Sequence, residues 1–169
     1  EASAGNIFTA GALNLKVGGS EPAGWNFQIS DIKPGDSGSK EVILQNTGSL
    51  GGYLHITFTN LINDEMGCLG QGRSRGRNVI CGNPGNNEGE LADNLDTLIY
   101  LDENSNSAFD LGTDFLIYQG KVKGILQGDI FNYLLVKDAS KKFRIEWKLD
   151  SSVGNIVQAD KTGYDINFE

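Results

Sequence analysis

The chain carries one histidine, two cysteines and one methionine in 169 residues. A single histidine leaves a Ser/His/Asp or Cys/His mechanism only one candidate base. That residue, His55, lies in Tyr53-Leu54-His55-Ile56-Thr57-Phe58, where alternation puts it on the polar face of a strand. No His-Glu-x-x-His pair for zinc hydrolysis and no Gly-x-Ser-x-Gly elbow occurs. The chain therefore reads as a non-enzyme. There is no run of 18 apolar residues, so no segment reads as a membrane-spanning helix. Basic residues are scarce, 14 Lys and Arg against 22 Asp and Glu, for a net charge of −8. That balance argues against nucleic acid or an anionic membrane as partner, since both need a basic patch. It suits cation binding.

The two cysteines, Cys68 and Cys81, stand in a Gly/Asn/Arg-rich stretch without apolar periodicity. They read as a disulfide, and hence as the mark of an oxidising compartment. Closing a loop of that size contributes about 3 kcal/mol. Zinc is the weaker alternative, because the spacing is not Cys-x-x-Cys and only His55 could assist. The surrounding stretch, residues 63–89, has the length of a functional or mobile loop. Its Arg73, Arg75 and Arg77 form a basic spot, either solvated or paired with an acidic neighbouring subunit. The chain starts Glu1-Ala2-Ser3-Ala4, which fits a secreted product freed of its signal peptide and equally an engineered start.

What the sequence has in quantity is period-two alternation. Leu13, Leu15 and Val17 alternate with polar neighbours, as do Trp25, Phe27 and Ile29, then Leu54, Ile56 and Phe58. The series Phe143, Ile145, Trp147, Leu149 and the series Tyr164, Ile166, Phe168 do the same. Such segments are half-buried strands with one face on a core. Val42-Ile43-Leu44 and Val122 to Leu126 read as two less regular strands. Turn chemistry separates the segments at Lys33-Pro34-Gly35-Asp36, Asn46-Thr47-Gly48 and Gly51-Gly52. The expected fold is all-β, a jelly-roll-like sandwich in one domain over residues 12–169. Short helices are expected near Glu88–Asn94 and near Asp129–Val136, where Ile130, Phe131, Leu134 and Leu135 recur at helical spacing.

The most specific chemistry lies between Asp102 and Asp114. Calcium takes six to eight oxygen ligands, and short oxygen-bearing side chains at alternate positions can wrap one ion. Asp102, Asn104 and Asn106 match positions 1, 3 and 5 of a calcium loop, the Ala108 carbonyl position 7, and Asp110 position 9. Ser107 stands where that loop takes glycine, and Asp114 comes one residue after the usual bidentate acid. The flanks Thr97–Leu101 and Phe115–Tyr118 read as strands, so this loop joins strands rather than helices. A solvated hairpin loop uses the same residue types; the regular oxygen spacing favours Ca2+. Glu90, Asp93 and Asp96 form a further acidic group, either a second calcium cluster or the solvated start of a helix.

Residues 1–11 precede the first convincing strand, with Ile7 and Phe8 as their only large apolar anchors and Ala10 among their small residues. Such a segment can add as a strand to the sheet edge of a neighbouring copy. A head-to-tail contact of that kind does not close and generates filaments or tubes.

Several blocks resemble one family. Phe8-Thr9-Ala10-Gly11-Ala12-Leu13-Asn14-Leu15-Lys16-Val17 is similar to the opening of mature TasA/camelysin-type proteins. Ile32-Lys33-Pro34-Gly35-Asp36-Ser37-Gly38, followed by Leu44-Gln45-Asn46-Thr47-Gly48-Ser49-Leu50, resembles the next signature. Gly89 to Asp96, Tyr118-Gln119-Gly120 and Val153 to Asp160 resemble later blocks. The resemblance implies an extracellular jelly-roll subunit that polymerises with copies of itself by donor-strand exchange. Members build matrix fibres, archaeal bundling pili and calcium-dependent cannulae, and the calcium loop points to the last group. A metalloprotease activity attached to some members is not carried over, for want of a zinc motif. The remaining alternative is a calcium-dependent adhesin or carbohydrate-binding module with Trp25 or a tyrosine as its platform.

Overall fold

The computed structural model describes residues 14–18, 25–29, 31–65, 85–125, 127–128, 130–157 and 160–169. Among these the chain forms β1 (Leu15–Val17), β2 (Trp25–Ile29), β3 (Ser37–Asn46), β4 (Gly52–Asp64), α1 (Leu91–Asn94), β5 (Leu95–Asp102), β6 (Phe115–Lys121), β7 (Ile130–Leu135), β8 (Ser140–Leu149) and β9 (Lys161–Phe168). Two antiparallel sheets result, ordered β1-β3-β8-β5-β6 and β2-β9-β4-β7. Leaving β1 aside, the eight remaining strands follow the jelly-roll order: first beside last, second beside seventh, third beside sixth, fourth beside fifth. The protein is an all-β sandwich of this type, and β1 is an extra strand on the edge of β3.

The alternating segments supply the core from both sheets. Phe27, Leu44, Ile56, Phe143, Ile145 and Ile166 are fully buried. The aromatic rings pack at angles, with Tyr164 4.9 Å from Phe27 and 5.6 Å from Phe58, and Phe143 5.1 Å from Phe168. Trp147 faces inward opposite Gly38 in the β3–β8 register. A Cβ at Gly38 would lie 2.6 Å from the Trp147 ring, so glycine there is the seat of the indole. Trp25 lies on β2.

Turn chemistry closes the strands as its residues dictate. Asp36 N–H donates to the Lys33 carbonyl, and the Asp36 carboxylate accepts from Lys33 N–H at 2.8 Å. Asn46 is buried, accepts from Gly48 N–H at 2.9 Å and donates to the Leu50 and Leu135 carbonyls.

Two expected elements are different. The strand expected over Val122–Leu126 is a 3-10 turn at Val122–Gly124, followed by Ile125. Val122 and Ile125, three residues apart, are both buried, which is the spacing of a 3-10 turn and not of a strand. The helix expected over Asp129–Val136 is strand β7, paired with β4. There Phe131 and Leu135 take the inner face, Phe131 lying 5.9 Å from Phe58, while Leu134 is half exposed opposite Tyr53. An outward leucine on an edge strand imitated helical spacing. The helix expected near Glu88–Asn94 is present as the single turn α1.

Candidate metal centres

β5 ends at Asp102, and residues 103–114 fold back over the outer face of its sheet. Phe109 caps Tyr100 there, ring to ring at 5.2 Å, and Tyr100 is fully buried. Burial, and then the neighbouring Glu146 carboxylate that its hydroxyl donates to at 2.8 Å, push the Tyr100 phenol far above its ordinary pKa.

Asp102 itself is 0% exposed. Its Oδ2 accepts from Ser107 N–H at 2.8 Å, and its Oδ1 is buried with no hydrogen-bond partner. Asn104 Oδ1 accepts from Asn106 N–H at 3.1 Å, and Asn106 Oδ1 accepts from Ala108 N–H at 2.8 Å. These two successive side-chain turns curl the backbone, but the carboxylates of Asp102, Asp110 and Asp114 do not all lie within 4.8 Å of one another. Ser105 and Ser107 are left-handed, with φ of 59° and 63°. Ser107 is the position where a calcium loop takes glycine. Asp114 closes the loop by accepting from Glu103 N–H at 2.9 Å and Asp110 N–H at 2.7 Å. Both asparagine amides donate to Asp110 Oδ2 at 2.7 Å, supplying part of the positive charge that a cation would supply in full. Asp102, Asn104, Asn106, Asp110 and Asp114 thus belong to one hydrogen-bonded loop. At its root Glu103 pairs with Lys141, whose pKa is raised by that carboxylate.

The structure divides the second acidic group. Asp93 pairs with Lys123 and Asp96 with Lys121, each at 2.7 Å and well exposed. Glu90 instead joins Glu65 and Asp160, one carboxylate oxygen from each lying within 4.8 Å of the others. It is the only such set of three His, Cys, Asp or Glu groups among the described residues.

Three elements converge to make it. Glu65 follows β4 and exchanges two backbone hydrogen bonds with Gly85, at 2.9 and 3.0 Å. Asp160 precedes β9, and its Oδ2 accepts from Glu90 N–H at 2.8 Å and Leu91 N–H at 2.9 Å, so it fixes the start of α1 from outside. Asn63 accepts from Ala92 N–H and donates to the Gly89 carbonyl, clamping the same turn. Glu65 and Asp160 are each 2% exposed. Burial raises the pKa of both Asp160 and Glu90 above the ordinary carboxylate range.

Sequence reading found Glu90 but gave it neighbours in the chain. Glu65 and Asp160 were hidden by a bulge: the register of β4 against β9 shifts between Thr59 and Ile62, with Asn60 at φ 53°. Before the bulge Leu54, Ile56 and Phe58 point inward; after it the buried positions are Asn63 and Glu65. Two polar residues in the buried phase of a strand were the available signal.

Cys68, Cys81, Arg73, Arg75, Arg77, Ile7, Phe8, Ala10 and Leu13 lie outside the described residues. His55 is exposed on the outer face of β4, its backbone paired with Glu169. Among the described residues no helix is long and apolar enough to cross a membrane. No protein-family model matches the chain, and no curated protein sequence matches it.

Proposed function

We propose that this protein is a structural subunit of an extracellular, cannula-like homopolymer, assembled by donor-strand complementation and strengthened by calcium at residues 102–114. The observation that carries the reading is the ladder edge of β3, which among the described residues is covered only at one end. β1 pairs only with Leu44–Asn46, and the last bond on that side runs from Gly18 N–H to the Ile43 carbonyl. Backbone groups of alternate residues face alternate neighbours in an antiparallel sheet. The N–H and C=O of Ser37, Ser39 and Glu41 therefore face a side where no described strand lies.

Lys40 supports the same reading. It points to the inner face of β3 yet is exposed, and its ammonium sits 5.4 Å from the Phe27 ring centroid. An inward lysine on an edge blocks chance pairing between sheets, and a flexible one moves aside for a strand that brings its own apolar side chain. In an extended donor strand from a neighbouring copy, alternation would put Phe8 and Ala10 on one face, toward that inner face, and Ile7 on the other. Leu50, Tyr53, Leu134 and Val136 are about half exposed or more near one end of the other sheet and offer a lateral contact between copies.

The test begins with the monomer in chelator. Millimolar calcium is added while light scattering and negative-stain microscopy follow the product. Ordered filaments or tubes are expected from the full chain. Deleting residues 1–10 is expected to leave a folded monomer that does not assemble. Polymers from the deletion variant overturn the donor-strand claim; a full chain that stays monomeric in calcium overturns the assembly role.

A further inference from the structure

We propose that Glu65, Glu90 and Asp160 form a site for a hard divalent cation, of the calcium class, where β4, α1 and β9 meet. The inference is independent of the polymer reading and of the loop at 102–114. Three carboxylates held together need protons, basic partners or a metal ion to offset their charge. Among the described ion pairs none involves Glu90 or Asp160.

Asp160 supplies the second, separate indication. Its Oδ2 is taken up by two backbone N–H groups of α1, which accounts for the orientation of the carboxylate. Its Oδ1, in a side chain that is 2% exposed, is buried and meets no hydrogen-bond donor, and the Asp160 carboxylate belongs to the cluster. Glu90 Oε2 is likewise buried without a donor. A buried carboxylate fixed through one oxygen by two backbone N–H groups, with no donor on the other, has the form of a waiting ligand.

The donor set selects the cation. Every contributing atom is a carboxylate oxygen, with no nitrogen or sulfur, which suits calcium, magnesium or manganese over zinc or copper. Oxygens bound to one calcium at about 2.3–2.6 Å lie no more than about 5 Å apart. The 4.8 Å limit of this cluster falls within that span. Magnesium, with bonds of about 2.0–2.1 Å in a strict octahedron, would draw the same oxygens closer. The ion would tie the paired ends of β4 and β9 to the α1 turn.

The experiment is equilibrium dialysis of the full chain against calcium chloride, and separately against magnesium chloride, which counts ions per chain in any state of assembly. Glu65→Gln is expected to bind one calcium fewer than the natural chain, or to bind it about tenfold more weakly or worse, because ligand charge sets affinity in such sites. Thermal unfolding gives a second reading with a change of sign. In chelator Glu90→Gln, which leaves the Asp160 cap on α1 intact, removes one of the crowded charges and is expected to raise Tm; in calcium that advantage should vanish or reverse. Equal calcium counts for the two chains overturn the proposal. A Tm advantage of the same size with and without calcium also overturns it, since that pattern belongs to carboxyls held together by protons. Glu90→Gln repeats the dialysis, should Glu65→Gln fail to fold.

Discussion

Replacing Ser107 by glycine and by alanine separates two effects that this residue superimposes. Its φ of 63° is left-handed, which costs a non-glycine residue about 1–2 kcal/mol. Its hydroxyl accepts from Lys142 Nζ at 2.8 Å, a bond worth about 1 kcal/mol. Ser107→Ala loses the bond and keeps the strain, so it should fall about 1 kcal/mol below the natural chain. Ser107→Gly loses the bond and sheds the strain, but its unfolded chain gains about 0.4–1 kcal/mol of conformational freedom. Glycine should therefore end about 1 kcal/mol above alanine and close to serine. For a chain of this size that gap is about 2–4 °C in Tm. The comparison is made in chelator, by thermal or urea unfolding of the three chains. Both variants keep the Ser107 N–H to Asp102 bond, so the difference reports the backbone alone. Calcium binding by Ser107→Gly should survive, because the hydroxyl is not among the wrapping oxygens. An alanine variant as stable as the glycine variant would refute the left-handed turn, and with it the calcium-loop geometry.

Other consequences can be checked in the same assays. Gly89→Ala places a Cβ about 3.0 Å from the Asp64 carbonyl group and 3.2 Å from Asn63 Oδ1. It should cost about 1–3 kcal/mol by urea unfolding, and a neutral result would argue against the tight approach of α1 to β4. Phe109→Ala uncovers Tyr100 and should cost about 1 kcal/mol from the lost ring pair alone; unchanged stability would mean that the loop does not rest on the sheet. Asn60 and Asn26 donate to the two oxygens of Asp165 at 2.7 and 2.6 Å and hold its carboxyl below the ordinary range. The folded value lies below the unfolded one, so the associated stability is present above about pH 4 and fades as pH falls through the folded value. Carboxyl NMR should show that low titration, and a midpoint at or above about 3.9 would contradict it. Finally, the triad and the loop at 102–114 lie at opposite ends of β5, about 25 Å apart by strand rise and well beyond a screening length of about 8 Å. Combining Glu65→Gln with Asp110→Asn should thus change stability in calcium by the sum of the single effects, within about 0.5 kcal/mol; a larger departure would show coupling between the two ends.

The fold was legible where one physical rule acted alone. Strands β2, β4, β8 and β9 each bury alternate residues against one core, and simple alternation found them. It failed at β7, where an edge position lets Leu134 point to solvent beside Tyr53, so apolar residues occupy both faces. It failed again at Val122, where burial is set by a single turn. The loop at 102–114 was readable because its oxygens follow one another in sequence and its turns are local. The triad was not, because its members are 25 and 70 residues apart and meet only after a bulge inverts β4. A spacing rule sees neighbours in the chain; Glu65 and Asp160 are neighbours only in the sandwich.

The loop at 102–114 and the edge of β3 that no described strand covers belong to one sheet, and a chain of charges joins them. Lys142 on β8 holds Ser107 Oγ with the same ammonium that lies 3.7 Å from Glu41 on β3. Glu41 also accepts from Arg144 Nη1 at 2.6 Å, and Arg144 Nη2 reaches Ser39 Oγ at 3.2 Å. Ser39 and Glu41 are two of the residues whose backbone groups face the side where no described strand lies. A dication among the loop oxygens would repel the nearby Lys142 ammonium, which has Glu41 as its alternative partner. Its charge would reach the edge through the exposed Glu41 and the largely buried Arg144, over contact distances well within a screening length of about 8 Å. Two cations, one at each end of β5, would also halve the net charge of −8 that sets copies of the chain against one another. Calcium would then act on assembly twice, by fixing the side chains that frame the acceptor edge and by lowering the repulsion between the subunits that meet there.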